Sequence, residues 1–196
     1  MSKAYHLGAY HNYFGNLKNG KKVVFRFKTL RELDLFWTHA VLIAIGDAQK
    51  TAVVLSFIPH DWFDLLRPTT ADVWFQLLGK KNPHCNVITH AAPEEKKLSE
   101  HPGVTRIENM FGTNPLKQKE SFYLNVIDDL ILEATLDEGV VPGIRNAMRG
   151  IPVDVPRLLN RHGIFKLNIR QDSAKALALK KKAQKYFSIR LYSTKS

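Results

Sequence analysis

The amino-acid sequence predicts an α+β fold, and three features of the chain predict it. Residues 21–59 have the patterns of a strand, a long helix and a second strand. Residues 92–103, APEEKKLSEHPG, are polar, charged and punctuated by proline, which is typical of a boundary. Residues 162–171, HGIFKLNIRQ, alternate apolar and polar side chains with the period of a half-buried strand. We therefore expect two halves, 1–100 with a β–α–β unit and 101–196 with a smaller α+β arrangement.

The β–α–β unit consists of three consecutive segments. KKVVFRFK (21–28) has the pattern of a strand, and TAVVLSFIP (51–59) is a second strand that a proline closes. Between them, residues 29–48 place apolar side chains at helical spacing. Thr29 can cap this helix, and Glu32 follows three residues later, as in a capping box.

The remaining segments predict shorter elements on both sides of the boundary. Hydrophobic periodicity and turn residues give their approximate positions. In chain order they are helical pieces at 61–66 and 69–81, a strand at 84–91, a turn at 111–115, helices at 121–139 and 142–151, the strand at 162–171, a basic segment at 173–187 and a last strand at 188–193.

The charge balance points to a polyanionic partner. The chain of 196 residues carries 29 Lys and Arg against 18 Asp and Glu, a formal net charge of +11. Clustered cations gain affinity for nucleic acids by releasing condensed counterions. An anionic membrane surface is a weaker option, because the sequence has no basic amphipathic helix with an aromatic anchor. We expect nucleic acid as the partner, although a merely soluble basic protein would have the same composition.

The sequence offers little for metal, disulfide or membrane chemistry. Cys85 is the single cysteine, so a disulfide framework and a thiolate zinc site are not expected. His84 and His90 flank it, but a strand would scatter these side chains over both of its faces. The longest apolar run is interrupted by charged residues, and the N-terminus lacks a signal-peptide core. We expect a cytoplasmic protein with no cofactor and no membrane association.

The helix at 29–48 contains the histidine that could perform catalysis. His39 lies between Trp37 and Val41 in an otherwise apolar stretch. Imidazole titrates near neutral pH, so a histidine can take the proton from an RNA 2′-hydroxyl without a metal. A satisfied core or edge histidine is the alternative interpretation. By residue type alone, other histidines are equally eligible, namely His6, His11 and His162.

The strand at 162–171 separates an apolar face from a basic one. Phe165, Leu167 and Ile169 would enter a core. Lys166 and Arg170 would then point into solvent or against something anionic.

A winged-helix DNA binder is an alternative for residues 145–167, RNAMRGIPVDVPRLLNRHGIFKL. A short helix, a glycine turn, a second helical piece and a β-wing would fit that motif. The interval from Ala147 to Gly150 is wrong for the usual tight turn, and two prolines occupy the place of the recognition helix. A structural subunit of a ribonucleoprotein, and a basic protein that binds an acidic protein, are further alternatives.

Five short segments in order resemble a known family, the CRISPR-associated endoribonucleases of subtype I-F systems that process repeat RNA. FKLNIR (165–170) is similar to a late strand of that family. Upstream of it, Ile151-Pro152 with Arg157 is similar to a Leu-Pro…Arg run of the family. VTRIENMFGTNPLKQK (104–119) resembles a family segment that leads into a basic helix, which Lys117 and Lys119 would begin. LFWTHAVLIA (35–44) is similar to the helix around the catalytic histidine, and VVLSFIP (53–59) to the strand after it.

The resemblance implies a RAMP-type protein with a ferredoxin-like N-terminal domain and a C-terminal domain that holds an RNA hairpin. It implies metal-independent cleavage on the 3′ side of a CRISPR repeat hairpin, followed by retention of the crRNA with the other subunits of a surveillance complex. His39 would be catalytic, whereas Leu158 stands where the family has its serine. The RNA-binding residues would be Arg106, Glu108, Asn114, Lys117, Lys119, Arg157, Lys166, Arg170, Lys180, Lys181, Lys182, Tyr192 and Ser193.

Overall fold

In the residues that it describes, the computed structural model has seven strands and four complete helices. It describes residues 14, 16–47, 53–60, 62, 84–89 and 107–187. The strands are β1 (Lys22–Thr29), β2 (Val53–Ile58), β3 (His84–Thr89), β4 (Ile107–Phe111), β5 (Phe122–Ile127), β6 (Leu130–Thr135) and β7 (His162–Gln171). The helices are α1 (Leu30–Asp47), α2 (Val141–Met148), α3 (Val155–Leu159) and α4 (Ser173–Gln184).

The seven strands form one mixed sheet in the order β1-β7-β6-β5-β2-β3-β4. The first five strands of this order are antiparallel to their neighbours, whereas β2, β3 and β4 run parallel to one another. Helices pack on both faces, and the protein is an α+β fold as predicted. None of the described helices is both long and apolar enough to cross a membrane.

The sheet does not divide at residues 92–103. β1, β2 and β3 come from the segment before this run, and β4 to β7 come from the segment after it. In the sheet, β7, β6 and β5 lie between β1 and β2. The separation into 1–100 and 101–196 is therefore wrong for the described strands, because a polar run in the sequence can be a surface connection inside one domain.

The β–α–β pattern also led us to expect β1 and β2 as parallel neighbours, and they are not adjacent. The two strands point in the same direction, but three antiparallel strands separate them. α1 begins directly after β1 and packs against β1, β7 and β6, so the crossover spans several strands. The local pattern of a β–α–β unit fixes the three elements but not which strands later insert between them.

Helix α1 begins where its capping residues predict. The Thr29 hydroxyl accepts a hydrogen bond from the Glu32 backbone N–H at 3.2 Å. The Glu32 carboxylate in turn accepts bonds from the N–H groups of Thr29 at 3.3 Å and Lys28 at 2.8 Å. This reciprocal arrangement satisfies donors that a helix start leaves unpaired. Phe36 then packs on β1, with its ring 4.5 Å from that of Phe25.

Residues 121–139, predicted as a helix, form a β-hairpin instead. β5 and β6 pair antiparallel and are joined at Asp128 and Asp129, with Asp128 at φ 49°. Aspartate tolerates this left-handed conformation, so it can close a tight turn without glycine. Both strands are buried on both faces, and their near-continuous apolar runs hide the period of two that identifies a strand.

The sheet separates two apolar clusters, one on each face. On the first face, α1, α2 and α3 cover Phe165, Leu167 and other side chains. On the second face, α4 and its C-terminal extension cover β2, β5 and β6 through Ala176, Ala183 and Phe187. The part of the second face that belongs to β1 and β7 carries exposed side chains. The predicted helices at 61–66 and 69–81 and the strand at 188–193 lie outside the described residues, apart from Trp62.

Candidate nucleic-acid interface

Strand β7 has the two faces that its sequence predicts. Phe165, Leu167 and Ile169 are completely buried against the first cluster. Lys166 is exposed and Arg170 is half-buried on the second face. Because side chains alternate along a strand, burial of the three apolar residues directs both cations outward.

Strand β1 adds a second row of cations next to those of β7. This row contains three exposed cations, Lys22, Arg26 and Lys28. The rings of Phe25 and Phe27, on either side of Arg26, point the other way and pack against α1. In the antiparallel register, Lys22 lies opposite Arg170 and Arg26 lies opposite Lys166. We call this surface the basic face, and it consists of Lys22, Arg26, Lys28, Lys166 and Arg170.

The basic face places like charges directly opposite each other. Such cross-strand pairs are destabilising, because their Cβ atoms lie only about 4.5–5.5 Å apart. One nearby acid compensates part of this repulsion, through an ion pair with Arg170. Asp172 lies 3.7 Å from Arg170, and Glu133 on the neighbouring strand is bound to Lys175 at 2.6 Å. The excess of positive charge is thus maintained by the fold at a cost in stability.

More cations lie at the Lys22 end of the basic face. Lys18 and Lys21 are exposed in the segment that leads into β1. The Gly20 N–H donates to the carbonyl of Gln171 at 2.7 Å, which ties this segment to the end of β7. The positive surface therefore continues beyond the paired strands.

Helix α4 lies on the same side of the sheet, but its lysines differ in role. Lys181 and Lys182 are exposed. The Lys180 ammonium instead donates to the backbone carbonyl of Asp128 at 2.7 Å. Burial lowers the pKa of Lys180, although the carboxylates of Asp128 and Asp129 act in the opposite direction. Lys180 therefore fastens α4 to the β5–β6 turn, and only Lys181 and Lys182 present freely solvated charge.

The connection between β4 and β5 contains three of the predicted RNA-binding residues. Asn114 accepts a bond from the Gln118 N–H at 3.0 Å and donates to its carbonyl at 2.7 Å, so its amide closes a turn. Lys117 is exposed in that turn at φ 52°. Lys119 lies 3.4 Å from Glu138 in an exposed ion pair. No basic helix begins at Lys117, contrary to what the family resemblance implies.

Two further predicted positions lie on the opposite side of the sheet. Arg157 is exposed on α3, whose neighbouring Leu158 and Leu159 are buried in the first cluster. Arg157 therefore cannot join the basic face. Leu158 fills the space beside Gly143, where an added Cβ would lie 2.7 Å from its Cδ1 atom. A core position of this kind offers no access to a substrate.

His39 lies in the middle of α1, as predicted, and its side chain is partly exposed. The helix belongs to the layer on the first face, whereas the basic face is on the second. The sheet therefore lies between His39 and the basic face. Glu108 is placed in β4 by its backbone, and Arg106, Tyr192 and Ser193 lie outside the described residues.

A second polar cluster lies beyond the end of β2. Glu120 accepts a hydrogen bond from Arg145 Nε at 3.1 Å, and His60 Nε2 lies 3.5 Å from the same carboxylate oxygen. Burial acts to raise the pKa of Glu120, but the bonds from Arg145 and His60 outweigh it and hold the pKa below its ordinary value. This cluster ties α2 to the sheet. Among the described residues, no group of His, Cys, Asp and Glu could hold a metal ion.

Sequence reasoning recognised only half of the basic face. It identified Lys166 and Arg170 but missed Lys22, Arg26 and Lys28 on β1. In the segment KKVVFRFK, Lys22, Arg26 and Lys28 are separated by four and two residues, which assigns these three cations to one face of a strand. What the sequence could not give is the pairing of β1 with β7.

Comparison with known proteins gives no family for this chain. No family model matches it, and no curated protein matches it. Among solved structures, it is similar to TrmBL2, an archaeal chromatin protein described with a novel mode of DNA binding, at 11% identity and a TM-score of 0.44. That alignment covers 90% of this chain and 57% of TrmBL2, so the chain spans little more than half of that protein.

A second similar structure is NucT from Helicobacter pylori. The identity is 13% and the TM-score is 0.46, with 84% of this chain and 95% of NucT covered. Both likenesses are distant, since their TM-scores lie below 0.5. We base nothing about the function of this chain on either of them.

Proposed function

We propose that this protein binds nucleic acid through the phosphate backbone, and that the basic face is its contact surface. The observation that carries the proposal is that the register of β1 and β7 places two cations opposite two others, Lys22 opposite Arg170 and Arg26 opposite Lys166. Phosphates placed over these pairs would relieve a repulsion that the folded protein otherwise bears.

Protection of a sheet edge is the competing explanation for lysines on a strand. Native proteins often place lysine on edge strands to prevent pairing with other chains. This explanation fits β1, which is the first strand in the sheet order. It does not account for Lys166 and Arg170, because β7 is paired on both sides, with β1 and with β6. An inner strand needs no such protection, so a binding role explains both rows together.

The test is binding of a labelled RNA hairpin and a labelled DNA duplex, followed by fluorescence anisotropy over a range of salt concentrations. We expect both probes to bind at low salt and the affinity to fall steeply as salt rises, because counterion release drives binding to phosphates. An acidic protein of similar net charge serves as the control ligand. Tight binding of the acidic protein, without binding of either nucleic acid, would contradict the proposal.

More narrowly, we propose that the nucleic acid is a CRISPR repeat hairpin and that His39 acts in its metal-independent cleavage. Two observations support this: the five segments that resemble the repeat-processing endoribonucleases, and the position of a partly exposed His39 on the rigid helix α1. In that function the protein would retain the cleaved RNA within a surveillance complex. The expected behaviour of His39→Ala is unchanged hairpin affinity with single-turnover cleavage in EDTA reduced by about two to four orders of magnitude.

A non-catalytic nucleic-acid-binding protein is the alternative. The basic face lies on the opposite side of the sheet from His39. This favours the alternative, because the sheet would separate the histidine from a nucleic acid bound at the basic face. A wild-type protein that binds hairpins but cleaves none in EDTA would support this alternative.

A further inference from the structure

The basic face consists of two parallel rows of cations. One row, on β1, contains Lys22, Arg26 and Lys28, and the other, on β7, contains Lys166 and Arg170. Directly opposite residues in an antiparallel pair have Cβ atoms about 4.5–5.5 Å apart. The two rows thus begin close together at their Cβ atoms, and their long side chains can extend to either side, toward the two backbones that border a groove such as the B-DNA minor groove, about 6 Å wide.

The rows extend over several nucleotides. Lys22 and Lys28 are six residues apart in β1, which corresponds to about 20 Å at the rise of a strand. A DNA strand places one phosphate about every 3.4 Å along the helix axis. The basic face thus spans about six base steps, enough for every cation in both rows to have a phosphate within reach of its flexible side chain.

The basic face has no exposed Phe, Tyr or Trp side chain among the described residues of β1 and β7. The exposed residues beside its cations include Val24, 37% exposed, and Ile164, 68% exposed, which are both aliphatic. His162 is also exposed, at the start of β7. The aromatic residues of β1, Phe25 and Phe27, point to the other face and pack on Phe36. Proteins that hold single strands without sequence preference usually combine a basic groove with aromatic stacking platforms. Within the described part of the chain, the basic face has no such row of platforms, and its single imidazole, His162, lies at the end of the β7 row.

We propose that the basic face binds a double helix by bridging its two backbones across a narrow groove, without reading the bases. This rests on the proposed function and names its ligand class. The β1 row contacts the phosphates of one strand and the β7 row contacts those of the other. A single strand has only one backbone and engages one row. Duplex DNA and the stem of an RNA hairpin both have two backbones that face each other across a groove.

The experiment compares duplexes with single strands of equal length at several salt concentrations. The probes are a 16-base-pair DNA in two unrelated sequences, an RNA duplex, and the separated strands. Each phosphate contact contributes about −0.9 to the slope of log affinity against log salt for B-DNA and about −0.7 for a single strand. Five contacts predict a slope of about −4.5 for duplex DNA, and the three cations of β1 predict about −2 for a single strand.

The two duplex sequences should bind within about twofold of each other, because backbone contacts carry no sequence information. The variant Lys166→Gln/Arg170→Gln removes the β7 row, so the duplex slope should become shallower by about 1.8 while the single-strand slope stays unchanged. Arg31→Gln/Arg149→Gln is the matched control, since it removes two exposed cations outside the basic face.

The outcomes separate this proposal from the one on which it rests. Equal affinity and equal salt slope for duplexes and single strands would overturn the bridging of two backbones and leave nucleic-acid binding intact. Binding of one duplex sequence at least tenfold tighter than the other would overturn recognition without base readout. Failure of every probe to bind at low salt would overturn the proposed function itself. A preference between the DNA and RNA duplexes would identify which double helix is the ligand.

Discussion

Replacement of the central cation pair, Arg26→Gln/Lys166→Gln, should make the protein more stable and a weaker nucleic-acid binder. The two side chains lie directly opposite each other on β1 and β7. Relief of their repulsion should raise the free energy of unfolding by about 0.2–1 kcal/mol. The same change removes two of the five cations that would contact phosphates. A residue with only a structural role would not move the two properties in opposite directions.

The magnitude of the binding effect follows from the number of contacts. With five phosphate contacts, the affinity for duplex DNA should fall about 500-fold between 50 and 200 mM salt, from a slope of about −0.9 per contact. With three contacts, the same increase in salt should cost the variant only about 40-fold. The glutamines keep most of the side-chain length, so that packing is disturbed little.

The assay is fluorescence anisotropy with labelled duplex at four or more salt concentrations, together with urea unfolding of the same preparations. Arg31→Gln/Arg149→Gln has the same change in net charge and should keep the slope of the wild type. A slope that is unchanged in Arg26→Gln/Lys166→Gln would refute the reasoning, as would an equal decrease in the control. In the first case the charge of the basic face would have no part in binding, and in the second only net charge would matter.

Three further predictions concern residues outside the basic face. Asn125→Ala should lower the free energy of unfolding in urea by about 1–3 kcal/mol, because the Trp37 indole N–H donates to its buried amide oxygen at 2.8 Å and would lose that acceptor. The pKa of Asp137 is lowered by bonds from the N–H groups of Ile164 and Gly139, so its stabilising effect is present above the unfolded value, about 3.9, and is lost as the pH falls through the lower folded value. The advantage of the wild type in melting temperature over Asp137→Asn should accordingly be full at pH 7 and shrink below about pH 4, and an advantage that is constant with pH would contradict this. Lys180→Met should leave the affinity for duplex DNA within about twofold of the wild type, since its ammonium is bound to the Asp128 carbonyl rather than available to phosphate; a loss as large as that of Arg26→Gln would assign Lys180 to the interface.

The sequence predicted those elements whose signals are local. Thr29 and Glu32 determine the start of α1 by hydrogen bonds within four residues, and the structure confirms that helix. The alternation of residues 162–171 determines both the extent of β7 and the face on which Lys166 and Arg170 lie. In these cases the pattern and its cause lie in the same short segment.

The errors arose where distant parts of the chain decide the outcome. Residues 121–139 are apolar enough for a helix, and only burial between two layers makes them a hairpin. The pairing of β1 with β7 joins the two ends of the described chain, and no local pattern encodes it. The basic face depends on that pairing, so its β7 row was predicted and its β1 row was missed. The sheet order also overturned the expected division into halves, since strands from both segments alternate in it.

The pairing of β1 with β7 has a consequence for the protein during its synthesis. β1 emerges from the ribosome early, but its neighbour in the sheet, β7, is translated near the end of the described chain. Until then the cations of β1 lie on a strand without a partner, and pairings between distant segments form slowly because a long loop must close first. A nascent or prematurely terminated chain therefore lacks the two-row surface. A chain that ends before β7 would carry the β1 row alone, without the second row that the proposed bridging of two backbones requires.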